Sequence, residues 1–295
     1  MTPETDVPLS RWTTIGTGGP ARAFARPQTL VELEDALRFA AERDLPARAV
    51  GLGSNLLAAD EGVEALVLRL TGSLAEARVE GDLLIAGGGA TNAVCLHRAR
   101  EAGLGGFEFA CAIPGTAGGG VRMNAGAYDS DWAAILVRAL VATADGTGWL
   151  TPRELGLSYR HSDLRAGQIV ASVEYRLEPR PREEIASRVA ELVALRKSTQ
   201  PTNKRTFGSV FKNPTGQRGP DGRGAGRLLE SCGLKGFRIG GAVISPKHAN
   251  FIENAGGATS TDCIALMAEA RRRAREQHGV ELEHEVVLLG DLVVS

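Results

Sequence analysis

The sequence lacks an excess of charge of either sign: 34 Lys and Arg stand against 35 Asp and Glu, a net charge of −1. That balance excludes a strongly basic nucleic-acid binder and an acidic disordered tail. Cysteines are few. Cys95, Cys111, Cys232 and Cys263 are far apart and form no C-x-x-C pair, which argues against both a disulfide framework and a zinc site. They read as buried, reduced thiols. No long hydrophobic run is present. The longest apolar stretch, near 133–144, is interrupted by Arg138, so nothing is long enough to span a membrane. The first 15 residues show no charged start followed by an apolar stretch, so no signal peptide is visible and the cytoplasm is the expected location. Several familiar fingerprints are also missing: G-x-G-x-x-G, the Walker loop, the G-x-S-x-G elbow, and any histidine pair at metal-ligand spacing.

What the chain has in abundance is glycine: 37 in 295 residues, against roughly 7% in average usage. The glycines follow no collagen-like period and lie in short clusters between apolar runs. At roughly 150 residues per domain, the length suggests two domains and an ample core.

Thr29 and Glu32 form a capping-box pattern, and Leu33, Leu37 and Ala40 follow at helical spacing, which predicts a helix over 30–43. Strands are expected at 47–52, 65–70 and 83–86, and a helix capped by Thr91 is expected to run to Ala102. Residues 169–177 alternate in polarity, as in a half-buried strand of an antiparallel or mixed sheet. Pro179 and Pro181 break this pattern and mark the best domain boundary. A helix over about 182–197 follows, with Ile185, Val189, Leu192 and Val193 on one stripe. Short and long helices are expected at 227–232 and 261–278, stopped by Gly233 and Gly279. Arg271, Arg272, Arg273 and Arg275 on the last helix read as a solvated face beside Glu269 and Glu276.

Five segments could carry chemistry. Gly51-Leu-Gly53-Ser54-Asn55-Leu56 follows a strand, where glycines let backbone amides approach a phosphate; an ordinary turn has the same composition. Ile113-Pro114-Gly115-Thr116-Ala117-Gly118-Gly119-Gly120 runs into Asn124-Ala-Gly126 and again suits a diphosphate or a structural turn. Tyr159-Arg160 offers a guanidinium fork that could meet a carboxylate or phosphate. Ser209, in Phe207-Gly-Ser-Val-Phe-Lys212-Asn213-Pro, has no elbow around it to make it a nucleophile; its other role is donating a proton to a strongly basic carbanion. Glu285, in Leu282-Glu-His-Glu-Val286, is either a structural carboxylate or one that acts on an anionic intermediate.

The order of these segments, together with Gly233-Leu-Lys-Gly236 and Ser245-Pro-Lys-His-Ala-Asn-Phe251, resembles the UDP-N-acetylenolpyruvoylglucosamine reductase family from about Thr13 to Gly290. The resemblance implies an α+β protein: a two-lobed FAD-binding fold of the vanillyl-alcohol-oxidase type (lobes 1–72 and 73–183), then a smaller α+β substrate-binding domain over 184–295. It implies non-covalent FAD held by Gly51, Gly53, Ser54, Asn55, Leu56, Ile113, Pro114, Gly115, Thr116, Gly118, Gly119, Asn124 and Gly126, with no metal. No His or Cys in the first loop could tether a flavin. Arg160, Ser209 and Glu285 match the family's catalytic positions, and Tyr159, Lys212 and Asn213 its substrate contacts. The implied reaction reduces UDP-N-acetylglucosamine enolpyruvate with NADPH as co-substrate, in peptidoglycan precursor synthesis, by an enzyme expected to be a monomer. The chain departs from the family in the glycine-rich insertion 216–226, in Val287 where many relatives carry arginine, and in Ala90-Thr91-Asn92, which lacks an aromatic residue often found there.

Overall fold

The computed structural model describes residues 2–214 and 224–294. The chain forms two compact units, each assembled from discontinuous pieces: residues 1–5, 23–52 and 64–196 make the first, and 6–22, 53–63 and 197–295 the second.

The first unit is built on a five-stranded antiparallel sheet in the order Gly146–Leu150, Leu136–Thr143, Ile169–Arg176, Leu83–Gly87, Ala77–Glu80. Ala47–Ala49 pairs in parallel with Val63–Leu68 in a smaller sheet. Helix α1 (Leu30–Ala41) buries Leu33, Ala36, Leu37 and Ala40 in one cluster with Leu66, Leu68, Ile169 and Ala171. The expected cap is present: Thr29 Oγ1 accepts the Glu32 amide at 3.2 Å, while the Glu32 carboxylate reaches back to the amide of Gln28 at 2.8 Å. Helices α2 (Asn92–Glu101) and α3 (Ala117–Met123) start at Thr91 and Thr116, whose hydroxyls accept amides from the first turn. A second cluster is aromatic. Trp132 is fully buried, meets Phe107 edge-on with centroids 5.8 Å apart, and donates its indole N–H to the Tyr175 hydroxyl at 2.7 Å.

The central strand is antiparallel, as its alternation implied, but that alternation does not describe its burial. A register shift opposite Leu140 and Val141 leaves Ala171 as an extra residue, a β-bulge. Ile169 and Ala171 therefore join the α1 cluster, whereas Val170, Val173 and Tyr175 join the aromatic one. The expected polar face is partly covered as well: Glu174 is 8% exposed and takes a two-pronged bond from Arg138 at 2.7 and 2.8 Å. Helix α4 (Arg182–Thr199) buries only Ile185 and Leu192 of its expected stripe.

The second unit carries a four-stranded antiparallel sheet in the order Thr206–Ser209, Phe251–Asn254, Ala242–Ile244, Arg238–Ile239. Phe207, Phe211, Leu228, Ile252, Leu266 and Met267 form its core, with α5 (Ala225–Ser231) and α6 (Ser260–His278) contributing. Helix α6 starts one residue earlier than the pattern suggests. Thr259 and Asp262 complete a capping box, and Asp60 accepts the amides of Ser260 and Thr261 at 2.9 Å each. Leu56–Ala58 pairs in parallel with Val287–Leu289. All four cysteines are free, and burial pushes the Cys95 and Cys263 thiols up to about 12. Among the described residues, no helix is long and apolar enough to cross a membrane, and no His, Cys, Asp and Glu cluster could hold a metal ion.

Candidate active site

The expected residues fall in both units. In the first, the loop Ile113–Gly119 is laced to residues 88–92. The Asn92 amide donates to the Gly115 carbonyl at 3.0 Å, Ala117 to Ala90 at 2.8 Å, and Gly118 to Gly88 at 2.9 Å. The amides of Gly118 and Gly119 are thus engaged within the protein, the latter with the Thr116 hydroxyl at 3.4 Å. Gly51 lies against the same threonine: a Cβ there would come 2.8 Å from Thr116 Oγ1. The two glycine-bearing segments around Gly51 and Thr116 therefore meet closely, and glycine is what permits it. Beside them opens a cavity of about 510 Å³, lined in part by Leu52, Ile113, Pro114 and Gly115. It falls in the size range of small-molecule sites, roughly 300–1,000 Å³. A close-packed glycine cradle next to such a cavity, with apolar walls and polar groups at its edges, fits a dinucleotide such as FAD.

Asn124 closes α3 in the left-handed conformation (φ +36°). Its side chain is fully used: the amide donates to Ser158 O at 2.8 Å and Asp131 Oδ2 at 3.2 Å, and its carbonyl accepts from the Ala133 amide at 2.9 Å. Its position in the expected set is thus structural, fixing the loop that carries Tyr159 and Arg160. Those two residues form the tip of a tight reversal in which Ser158 and His161 exchange backbone bonds at 3.1 and 3.2 Å. Arg160 itself sits at φ +52°, a region costly for a residue with a Cβ. Its guanidinium donates to the Gly126 carbonyl and lies over the Tyr159 ring, 5.0 Å from the centroid. Arg160, Tyr159, Asn124 and Gly126 are therefore one local group.

In the second unit the expected residues also converge. Gly208, at φ +82°, faces the Ser54 carbonyl, 3.3 Å from where a Cβ would stand. Thr14 Oγ1 bonds the carbonyls of Gly53 (3.2 Å) and Thr206 (2.6 Å), tying the first loop to the strand that ends at Ser209. The chain then runs beside the near-terminal segment. The Glu285 amide donates to Val210 O at 2.8 Å, the Lys212 amide donates to Glu283 O at 2.9 Å, and Phe211 bridges to His284. Asn55 Nδ2 bonds the Glu285 carbonyl at 3.1 Å, and the Val287 amide returns to Asn55 O at 3.0 Å. Ser54, Asn55, Ser209 and Glu285 thus lie on three adjacent backbones. Lys212 Nζ is 2.6 Å from Glu283 Oε1. Asn213 Oδ1 accepts the Ala225 amide at 2.9 Å and so begins α5. Burial, then the neighbouring Arg271 charge, push the His284 ring below its ordinary value; burial, with Lys235 next, does the same to His248.

Two residues outside the expected site set stand out. Thr14 is one. The other is Asn250, 4% exposed, which accepts the Phe211 amide and donates to the Phe211 carbonyl, both at 2.9 Å. The two side-chain bonds clamp the segment that follows Ser209. A short side-chain amide gripping one residue's two backbone groups is a tertiary contact, and no spacing rule signals it.

A family model described as the C-terminal domain of UDP-N-acetylenolpyruvoylglucosamine reductase matches residues 200–289, and one described as an FAD binding domain matches residues 21–149. The UDP-N-acetylenolpyruvoylglucosamine reductase 2 of Symbiobacterium thermophilum is 44% identical over 285 residues, covering 96% of this chain and 91% of its own. The corresponding reductase of Rubrobacter xylanophilus is 41% identical over 288 residues, covering 97% and 95%. Among solved structures, the UDP-N-acetylenolpyruvylglucosamine reductase of Thermus caldophilus aligns with a TM-score of 0.82 at 38% identity, covering 96% of this chain and 97% of that one.

Proposed function

The chain belongs to the UDP-N-acetylenolpyruvoylglucosamine reductase family, and on that premise we propose that it reduces the enolpyruvyl ether of UDP-N-acetylglucosamine to UDP-N-acetylmuramate with NADPH as reductant. The FAD-facing set in this reading is Gly51, Gly53, Ser54, Asn55 and Leu56 with Ile113–Gly119 and Gly126. Gly118 and Asn124 serve through the backbone shape they allow. Bound FAD supplies the hydride transfer. Residues 1–72 and 73–183 would be the flavin lobes and 184–295 the substrate domain.

The chain's own residues handle charge and a proton. Hydride addition at the terminal carbon of the double bond places negative charge on the adjacent carbon, delocalised into the substrate carboxylate. The Arg160 guanidinium stabilises that charge as it grows. Glu285 orients Arg160 or, protonated, donates to the enediolate oxygen; an ionised carboxylate aimed at the charge would oppose it. Ser209 transfers its hydroxyl proton to the enolate carbon, completing net addition of one hydride and one proton. A hydroxyl can do this because the enolate carbon is a strong base. Tyr159, Lys212 and Asn213 contact the nucleotide sugar, Lys212 by exchanging its Glu283 partner for phosphate.

The observation that carries the reading is the register of the second unit. With the Glu285 amide on Val210 O, it sets Ser209 and Glu285 on adjacent backbone segments, with Gly208 against the Ser54 carbonyl. The test separates the two half-reactions. Purified protein is expected to be yellow, bleached by NADPH, and recoloured by the enolpyruvyl nucleotide. In Ser209→Ala, bleaching should persist at its normal rate while recolouring collapses. Equal loss of both half-reactions removes Ser209 as the proton donor, and a protein that cannot take up FAD removes the whole reading.

A further inference from the structure

Among the described residues, seven other than glycine have a positive φ, and five of these are Asp or Asn. Asp and Asn visit the left-handed region readily because their short polar side chains bond locally. The two exceptions, Tyr128 at φ +54° and Arg160 at φ +52°, belong to one network. Arg160 donates to the Gly126 carbonyl, and Gly126 opens the hairpin whose turn Tyr128 begins.

In that hairpin Gly126–Ala127 pairs with Ser130–Asp131, which leaves Tyr128 and Asp129 as a two-residue turn. Asp129 also has a positive φ, +61°. Two such residues make a type I′ turn, for which Asn-Gly is the favoured sequence. Tyr-Asp suits it poorly, because a bulky side chain in the left-handed region is strained. A tether holds the turn: Tyr128 Oη donates to the carbonyl of Leu192, in the middle of α4, at 3.0 Å. Burial, then the neighbouring Cys111, raise the pKa of the Tyr128 hydroxyl above its ordinary value, so it keeps the proton it donates. A carbonyl has two lone pairs, so α4 can keep its own ladder bond at Leu192. At its base the hairpin is joined to the reversal that carries Arg160. Asn124 donates to both Asp131 Oδ2 and Ser158 O. Gly126 is closely enclosed as well: a Cβ there would stand 2.5 Å from Ser130 O and 3.0 Å from an Arg160 guanidinium nitrogen.

We propose, on the reading that Arg160 stabilises the developing charge, that Tyr128 is a positioning residue for it. Anchored on α4, Tyr128 keeps an unfavourable turn in place, and the turn fixes the Gly126 carbonyl against which the guanidinium is set. An arginine braced in this way meets the growing charge without first having to be ordered. The strain at Tyr128 thus has a use, and the phenol acts through Arg160 rather than on the substrate.

Two variants separate the tether from the turn. Tyr128→Phe removes the hydroxyl and leaves the strain. It should slow recolouring by the enolpyruvyl nucleotide about tenfold while bleaching by NADPH stays within about twofold of the parent. Amide exchange over 126–131 and 158–161 should rise in the same variant. Tyr128→Asn combined with Asp129→Gly also removes the hydroxyl, but it supplies the sequence the turn favours, so recolouring should return to within about threefold of the parent. A tyrosine that only touched substrate, or only stabilised the fold, would not be replaced by an Asn-Gly turn. Normal recolouring in Tyr128→Phe, equal loss of both half-reactions, or a double variant as slow as Tyr128→Phe overturns the proposal. In an Arg160→Lys background, Tyr128→Phe should slow recolouring no further, and an additional loss there also overturns it. If Arg160→Lys alone recolours normally, the reading of Arg160 falls instead. Exchange over 158–161 then decides whether Tyr128 holds that segment: a rise in Tyr128→Phe supports it, and no change refutes it.

Discussion

Asn250→Ala is the sharpest test of how the Ser209 segment is held. The side chain makes two buried hydrogen bonds, both 2.9 Å, to the amide and carbonyl of Phe211, itself 2% exposed. Truncation leaves both backbone groups without partners in a space that excludes water. At about 1–3 kcal/mol per stranded group, the loss from the two groups is about 2–6 kcal/mol. For a chain of this size each kcal/mol lowers the melting temperature by about 2–4 °C, so a fall of about 4–24 °C is expected by calorimetry or dye-binding thermal shift. The Val210 amide would keep its 3.0 Å bond to the backbone carbonyl of residue 250, so the strand should loosen rather than detach. Recolouring of reduced protein by the enolpyruvyl nucleotide should slow more than bleaching by NADPH. Asn250→Asp adds an independent check. Its carboxyl can satisfy the Phe211 carbonyl only when protonated, so its folded-state pKa lies above the unfolded one. Stability should then be greatest at acid pH and be lost as pH rises through that value. An Asn250→Ala protein melting within about 2 °C of the parent, or an Asn250→Asp protein that gains stability relative to the parent with rising pH, would refute the clamp.

Three further outcomes are expected. Arg160→Lys should reduce turnover roughly 100-fold, since an ammonium cannot reproduce a guanidinium fork, and near-normal kcat would remove Arg160 from the reaction. Asp60→Ala removes the acceptor for the Ser260 and Thr261 amides and the Thr261 hydroxyl; it should cost about 1–2 kcal/mol and raise amide exchange in the first turn of α6, and unchanged exchange there would count against it. Glu269, bonded by Arg272 and Arg273, is held down to about 2, so its folded pKa is below its unfolded one. Its stabilisation is therefore present above the ordinary carboxylate value and is lost as pH falls toward 2. The melting difference between parent and Glu269→Gln should hold constant at neutral pH and shrink only below about pH 4.5; a difference independent of pH contradicts this.

Local features were the legible ones. The Thr29 and Thr91 caps, the antiparallel strand at 169–176 and the stop at Gly279 all follow from side chains a few residues apart. The start of α6 is displaced by a residue because Asp60, 200 positions away, takes its first amide. The bulge at Ala171 was hidden because alternation in sequence continues through it while the strand's faces exchange. The glycine surplus resolves only in part. Gly51 admits Thr116, whereas Gly120 and Gly226 make room for the rings of Trp132 and His248. Gly216, Gly219 and Gly222 lie outside the described residues. The grouping of Ser209 with Glu285 depends on strand register across distant segments, which periodicity does not encode.

The pairing of Leu56–Ala58 with Val287–Leu289 bears on when the protein becomes functional. Paired positions such as Leu56 and Val287 are 231 residues apart, so the first must wait for the second to be made. At about 5–20 residues per second, that interval is roughly 10–50 s of translation. Throughout it, the segment carrying Ser54 and Asn55 has neither its parallel neighbour nor the Glu285 carbonyl that Asn55 holds. Flavin loading is therefore expected to be a post-translational event. A nascent chain arrested before residue 285 should retain little FAD, however well the earlier residues have folded.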